Sequence, residues 1–255
     1  MPGNDEASKE LPDDDKENNT HGTSTIFDRP PPNFYSLRCW HVFLNKHSHR
    51  DKLGKIVHYG SRGFVGLCGN LLPLVSNTSM LAGMLLAAQG KFRVVFKNIM
   101  NTRRCVRWLS GTGIILDLIN GQHLSLRVKA IKGLLLTWMF SDHFRYLQQL
   151  KLIGGDQAFT RNWGFACACA SWSLAAYHHT TLLMASKPVP NESTKERTQR
   201  TAANNKMKRQ IVRNTIASIS AAHISQLFVH SEAICGFFGA GAAAFDMWEL
   251  FPRSA

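Results

Sequence analysis

The sequence predicts an all-α, membrane-associated helical bundle with a basic amphipathic helix and one or two C-terminal membrane segments. Three observations carry this expectation. First, residues 91–110, KFRVVFKNIMNTRRCVRWLS, separate by chemistry on a helical wheel: Phe92, Val95, Phe96, Ile99, Val106 and Leu109 on one side, Arg93, Lys97 and Arg104 on the other, with no acidic residue. Arg103 falls on the apolar side and Arg107 at its border. Second, Leu53, Ile56, Val57, Phe64 and Leu67 repeat at helical spacing, with Lys52, Lys55, His58 and Arg62 on other faces. Third, three intervals carry no Asp, Glu, Lys or Arg: 28 residues at 63–90, 25 at 162–186 and 18 at 214–231. Such gaps suit burial in lipid or between helices. Asn, Ser, Pro73, His178, His179 and His223 dilute them, so none is a clean spanning helix.

Charge divides the 255-residue chain unevenly. The formal charge is +13, yet residues 1–28 hold eight acidic residues against two lysines, and the remainder holds nine acidic against 28 basic, a net +19. So basic a body favours an acidic partner: nucleic acid, anionic lipid or an acidic protein. Zinc-finger spacing and ribonucleoprotein aromatic motifs are absent, which argues against nucleic acid. A basic face opposite an apolar face is what an anionic membrane surface selects, although a helix packed on a protein core shows the same separation. The six cysteines (39, 68, 105, 167, 169, 235) form no C-x-x-C pair and read as reduced thiols.

Taken in order, residues 1–33 read as a disordered acidic tail ending in Pro30-Pro31-Pro32. Residues 33–49 bring Phe34, Tyr35, Trp40 and Phe43; His41, His47 and His49 read as surface or packing histidines, since no cysteine or carboxylate joins them at a metal-binding spacing. In residues 50–72, Gly54, Gly60, Gly63 and Gly66 weaken an isolated helix but allow close helix approach. Residues 114–153 read as a helical pair in which 134–140 is buried and Asp142 is a capping or turn carboxylate. Residues 163–185 are the first membrane-segment candidate. Residues 187–210 are a basic linker facing the cytosol, and 211–252 form C-terminal membrane helices.

Four blocks in order resemble the peroxin-11 family of peroxisomal membrane-elongation factors. They are Asp51-Lys52-Leu53 with Tyr59-Gly60-Ser61-Arg62; Thr102-Arg103-Arg104-Cys105-Val106-Arg107-Trp108-Leu109; LLLTWMFSDHFRYLQQLKLIG at 134–154; and ICGFFGAGAAAFDMWELFP at 234–252. The resemblance covers residues 34–252, and the glycosomal membrane proteins of kinetoplastids are similar relatives. It implies a non-enzymatic factor, without cofactor or metal, at the peroxisomal or glycosomal membrane. The helix at 91–110 would insert its apolar face into the cytosolic leaflet while its arginines engage anionic headgroups. Self-association through Gly236, Gly239 and Gly241 would concentrate that wedge. Fission machinery, a dynamin-related protein and its adaptors, is the implied protein partner. A metabolite channel or channel regulator is the alternative that the resemblance allows.

Overall fold

The computed structural model describes residues 34–76, 78–107, 111–121, 123–187 and 192–252. The expected acidic tail, Leu109 and Trp108 lie outside them. The described residues form α-helices and one 3-10 turn, with no strand among them, so the all-α expectation holds. The helices are α1 (Leu37–Asn45), α2 (His47–Leu71), α3 (Met80–Val106), α4 (Thr112–Asn120), α5 (Leu126–Gln149), α6 (Gln157–Ala185), α7 (Thr194–Ile224) and α8 (Glu232–Leu250). Short polar side chains set most of the starts. Ser36, Ser79, Ser125, Asp156, Ser193 and Ser231 each accept a hydrogen bond from a backbone N–H of the first turn. Pro73 lies in the 3-10 turn Leu72–Leu74 that closes α2, where it cannot continue the helical hydrogen bonding.

The long helices pack in the order α3, α2, α8, α7, α6, α5, and α5 returns to α3 through a narrow contact. The result is a ring with its seam between α3 and α5. Its apolar interior is built from small residues: Ala168, Ala217, Ala221 and Ala242 surround Trp172. Tyr59, Ile224 and Cys235 form a second cluster. The α1 segment docks on the end of α8, where Cys39 and Phe43 meet Phe251. His49 stacks on Phe43 with ring centroids 4.7 Å apart, a packing role as expected.

The closest helix pair is α2 with α8. A side chain on Gly236 would collide with the backbone of Gly63, and one on Gly66 with the backbone of Ala233. Gly239 lies against the ring of Tyr59. Gly236 and Gly239 are thus buried within one chain, and the expected use of these glycines for self-association is corrected. Gly241 is different: a Cβ there would touch only Ile216 Cδ1, at 3.5 Å. Small residues at i, i+3 spacing serve any close helix contact, and spacing does not say whether the partner helix lies in the same chain.

Three further expectations change. The basic stretch at 187–210 is not a linker over its described length, because α7 begins at Thr194 and runs unbroken to Ile224. A reciprocal capping box between Ser193 and Glu196 starts it. Its cations find acids on α8: Arg209 pairs with Glu249, and Arg213 with Asp246 at 2.9 Å. Asp246 also takes Lys52 of α2 at 2.9 Å. Lys, Arg, Gln and Ala are good helix formers, so a solvated basic run and a basic helix share one composition. Among the described residues no helix is long and apolar enough to cross a membrane. That holds for α6, α7 and α8, where membrane segments were expected: polar residues interrupt α6, and the ion-paired Asp246 and Glu249 interrupt α8. Residues 134–139 are half-buried rather than buried, and Phe140 is exposed.

The Gly63–Gly236 crossing is testable. Gly236→Ala should destabilise the fold by about 1–3 kcal/mol through overpacking. Gly241→Ala should be neutral or stabilising by up to about 1 kcal/mol, through helix propensity. Denaturant unfolding of the two variants measures both, and equal effects would contradict the described crossing.

Candidate functional site

Adjacent residues on a helix point about 100° apart, so Arg103 and Arg104 at the end of α3 reach different neighbours. Arg103 Nε donates to Asp51 Oδ1 on α2 at 3.0 Å. Arg104 Nε donates to Asp142 Oδ1 on α5 at 3.0 Å, and its Nη1 to Gln149 Oε1 at 2.6 Å. Arg107, one turn on, spans both aspartates, with Nη2 at 2.9 Å from Asp142 Oδ2 and Nε at 3.6 Å from Asp51 Oδ1. Three arginines and two aspartates therefore join α2, α3 and α5. Arg104 is 1% exposed and Arg103 6%. Burial alone would raise the Asp142 carboxyl, but Arg107 and Arg104 outweigh it and hold the carboxyl below its ordinary range.

Arg103 Nη1 also lies 3.0 Å from His58 Nδ1. A guanidinium only donates, so Nδ1 accepts and Nε2 carries the proton. Burial, reinforced by Arg103 and Arg62, pushes the His58 pKa well below its usual value and keeps the ring neutral.

Beneath this network the ring of helices encloses a cavity of about 1020 Å³, lined by α2, α3, α5, α6 and the α7–α8 turn. Its walls are strongly basic. Helix α2 contributes Lys55 and Arg62; α3 contributes Arg93, Lys97, Arg103 and Arg104; Arg107, Arg145 and Arg161 complete the set. The lining carboxylates are Asp142 and Glu232. Arg62 Nε and Nη2 grip Glu232 at 2.5 and 3.0 Å. Burial would raise the Glu232 carboxyl, but Arg62 and then His223 bring it down to about 2. Lys55 lies over the Trp172 ring, 5.7 Å from its centroid.

The sequence-predicted residues divide into three groups. Phe92 and Phe96 face inward to α2, stacking on Phe64 and His58 at 4.9 and 4.8 Å. Ile99 is half-buried and Val95 more exposed. Arg93 and Lys97 are exposed and line the cavity, while Val106 closes α3. Arg103, Arg104 and Arg107 are held in internal ion pairs, so they do not form the expected headgroup-facing side of the helix. The motif residues of α2 are also structural: Asp51 binds Arg103, Lys52 binds Asp246, Tyr59 packs on Gly239 and Arg62 binds Glu232. A Cβ at Gly60 would meet open space.

Sequence reasoning assigned Asp142 to a cap or turn, whereas it stands inside α5 as the anchor of two arginines. It assigned no site role to Arg145, Arg161 or Glu232. One signal was available: nine acidic residues in so basic a body are scarce enough that a buried one must be paired.

His223, Glu232 and Cys235 present ligand-type atoms within 4.8 Å of one another. Arg62 already neutralises Glu232, and burial raises the Cys235 thiol pKa, so this trio serves packing and ion pairing. No family model, no curated protein and no solved structure matches the chain. The peroxin-11 resemblance therefore stands on its sequence blocks alone.

Asp142→Ala should destabilise the fold by about 3–5 kcal/mol, since it strands buried guanidinium charge. Adding Arg104→Met should recover part of that loss. Asp142 and Glu232 both have depressed folded pKa values. Their contribution is present above pH ~4 and is lost as pH falls, for Glu232 towards about 2. Asp142→Asn should flatten this acid limb in circular-dichroism pH titrations. An unchanged limb would mean that the α3–α5 seam contributes nothing to stability.

Proposed function

We propose that this protein is a membrane-surface factor of peroxisomes or glycosomes that promotes elongation, proliferation and fission of the organelle. The observation that supports this reading is the outer face of α3. Helix α3 packs on α2 and narrowly on α5, which leaves Met80, Leu81, Met84, Leu86 and Val94 outward, each more than half exposed. Residues 80–90 carry no charge, and Lys91, Arg93 and Lys97 follow on the exposed side of the next turns. On α4, Leu116 (57% exposed) and Ile119 (66%) add to the uncovered apolar surface. An apolar face next to cations suits shallow insertion into an anionic leaflet, where each Lys or Arg near the surface contributes about 1 kcal/mol.

The inserting residues are then Met84, Leu86, Val94 and Val95. Phe92 and Phe96 are the anchors that hold α3 on α2. Shallow insertion of many copies widens one leaflet and favours curvature. Self-association would use a surface other than Gly236 and Gly239, and anionic lipid and fission machinery are the partners of this reading. Nothing in it requires a catalytic group.

The basic cavity favours a second reading, a metabolite channel or channel regulator, because cations facing an internal space attract anions. Anion conductance of the purified protein in planar bilayers separates it from a remodeller.

Leu86→Asp with Val95→Asp should abolish co-sedimentation with phosphatidylserine-containing vesicles while helix content stays the same. Cells depleted of the protein should contain fewer, enlarged organelles, with a tagged copy restoring normal morphology from the organelle rim. Retained vesicle binding, normal organelles on depletion, or a tag located elsewhere would overturn the reading.

A further inference from the structure

The charge inside the helical ring does not balance. Among the described residues, nine Lys or Arg side chains line the cavity against two carboxylates, Asp142 and Glu232. Even with Asp51, which sits behind Arg103, three acids serve Arg62, Arg103, Arg104 and Arg107. Lys55, Arg93, Lys97, Arg145 and Arg161 have no ion pair with a described residue. Like charges drawn together in a partly desolvated space repel strongly, because the effective dielectric constant there falls well below that of water.

The imbalance is sharpest at Arg145. Its Nε is buried and has no hydrogen-bond partner. Burial, with Arg104 and Arg161 alongside, lowers its pKa to about 10, an unusual value for a guanidinium. Two further buried, partnerless polar atoms belong to residues of the same cavity: Trp138 Nε1 and His58 Nε2. All three are donors, since an indole N–H cannot accept and the bond from Arg103 fixes the proton of His58 on Nε2. Surplus positive charge and unmet donors therefore coincide, and among the described residues neither meets a further anionic acceptor.

The donors also converge. Arg145 lies on α5, Arg161 on α6, Arg62 on α2, and Arg93 and Lys97 on α3. The planar guanidinium fork matches phosphate oxygens two at a time. Interleaved with the cations, Phe96, Trp138, Phe165 and Trp172 supply aromatic surface for an organic portion. The volume, about 1020 Å³, is at the upper end of the range for small-molecule sites.

We propose that the cavity enclosed by α2, α3, α5 and α6 is a binding site for a multiply phosphorylated organic anion, with Arg145 and Arg161 as its central ligands and Arg93 and Lys97 at its mouth. The anion is either a soluble phosphate ester or the headgroup of a phosphorylated lipid; both offer the same oxygens. The site stands on the interior of the ring and is independent of membrane insertion by the outer face of α3. Binding would neutralise the repulsion around Arg145 and tie α3 to α5 and α6 across the seam.

Tripolyphosphate, the simplest probe of this chemistry, should raise the melting temperature of the full-length protein. In calorimetry it should bind with an affinity that falls with added salt. Arg145→Gln and Arg161→Gln should each weaken binding roughly tenfold, as expected for loss of a charge-assisted hydrogen bond. Lys208→Gln, on an exposed part of α7 away from the cavity, should not. Lys97→Gln at the mouth gives an independent reading should an interior variant fold poorly.

Phosphatidylcholine vesicles with and without phosphatidylinositol bisphosphate separate the two sources. Binding to the phosphorylated vesicles that requires Arg145 and is competed by tripolyphosphate identifies a lipid headgroup. Tripolyphosphate binding that requires Arg145, with vesicle binding that does not, identifies a soluble ester. The proposal is overturned if tripolyphosphate gives no thermal shift and no heat. It is also overturned if Arg145→Gln and Arg161→Gln bind tripolyphosphate like Lys208→Gln. Leu86→Asp removes insertion and leaves the cavity intact, so its tripolyphosphate affinity should be unchanged.

Discussion

Asp142 receives Arg104 and Arg107 from the end of α3, and the same arginine run reaches back through Arg103 to Asp51 on α2. Elsewhere the ring is held by broad contact between small residues, with ion pairs from α8 to α2 and α7, but α3 and α5 meet only narrowly, so this polar knot closes the circle. Buried ion pairs of this kind add little net stability over a well-packed apolar isostere, while breaking one is costly. Their consequence here is geometric. The pairing fixes the position of α3, and with it both the enclosed cavity on one side and the apolar face on the other.

The α2–α8 crossing is the second constraint. Gly66 and Gly236 let two backbones approach until neither position tolerates a side chain. Lys52 then reaches Asp246, and Arg62 reaches Glu232, along the same interface. These contacts link residues about 170–194 positions apart in sequence. Together with the pairing of Arg209 to Glu249, they draw the basic half of α7 into the bundle, where a free linker was expected. Glu232, Asp246 and Glu249 thus organise cations from two other helices.

Two surfaces remain available for function, and they differ in physical character. The outside of α3 is uncovered and apolar, suited to lipid hydrocarbon. The inside of the ring is aromatic and positively charged, suited to phosphate oxygens. Arg93 and Lys97 lie where the two approach each other, exposed on α3 and also lining the cavity. A protein seated on a leaflet by α3 would hold this cavity close to the headgroups.

Periodicity alone determined that the chain is helical, because that signal acts within one or two turns, but it did not place the helix starts: α3 begins at Met80 and α7 at Thr194, inside stretches read otherwise. Charge counting alone showed that the body is strongly basic. The amphipathic stretch at 91–110 was legible as a helix, but not which way it faces. On the wheel Arg104 lay on the basic side and Arg103 on the apolar side, yet both became core ion pairs, since a wheel places residues relative to one axis and says nothing about Asp51 or Asp142 on neighbouring helices. Gly236 and Gly239 announced a close helix contact, and only the tertiary structure decided that the contact is with α2 of the same chain. The cavity was not legible at all. Its cations come from four separate helices, and spacing along a chain carries no information about side chains brought together by packing more than a hundred residues apart.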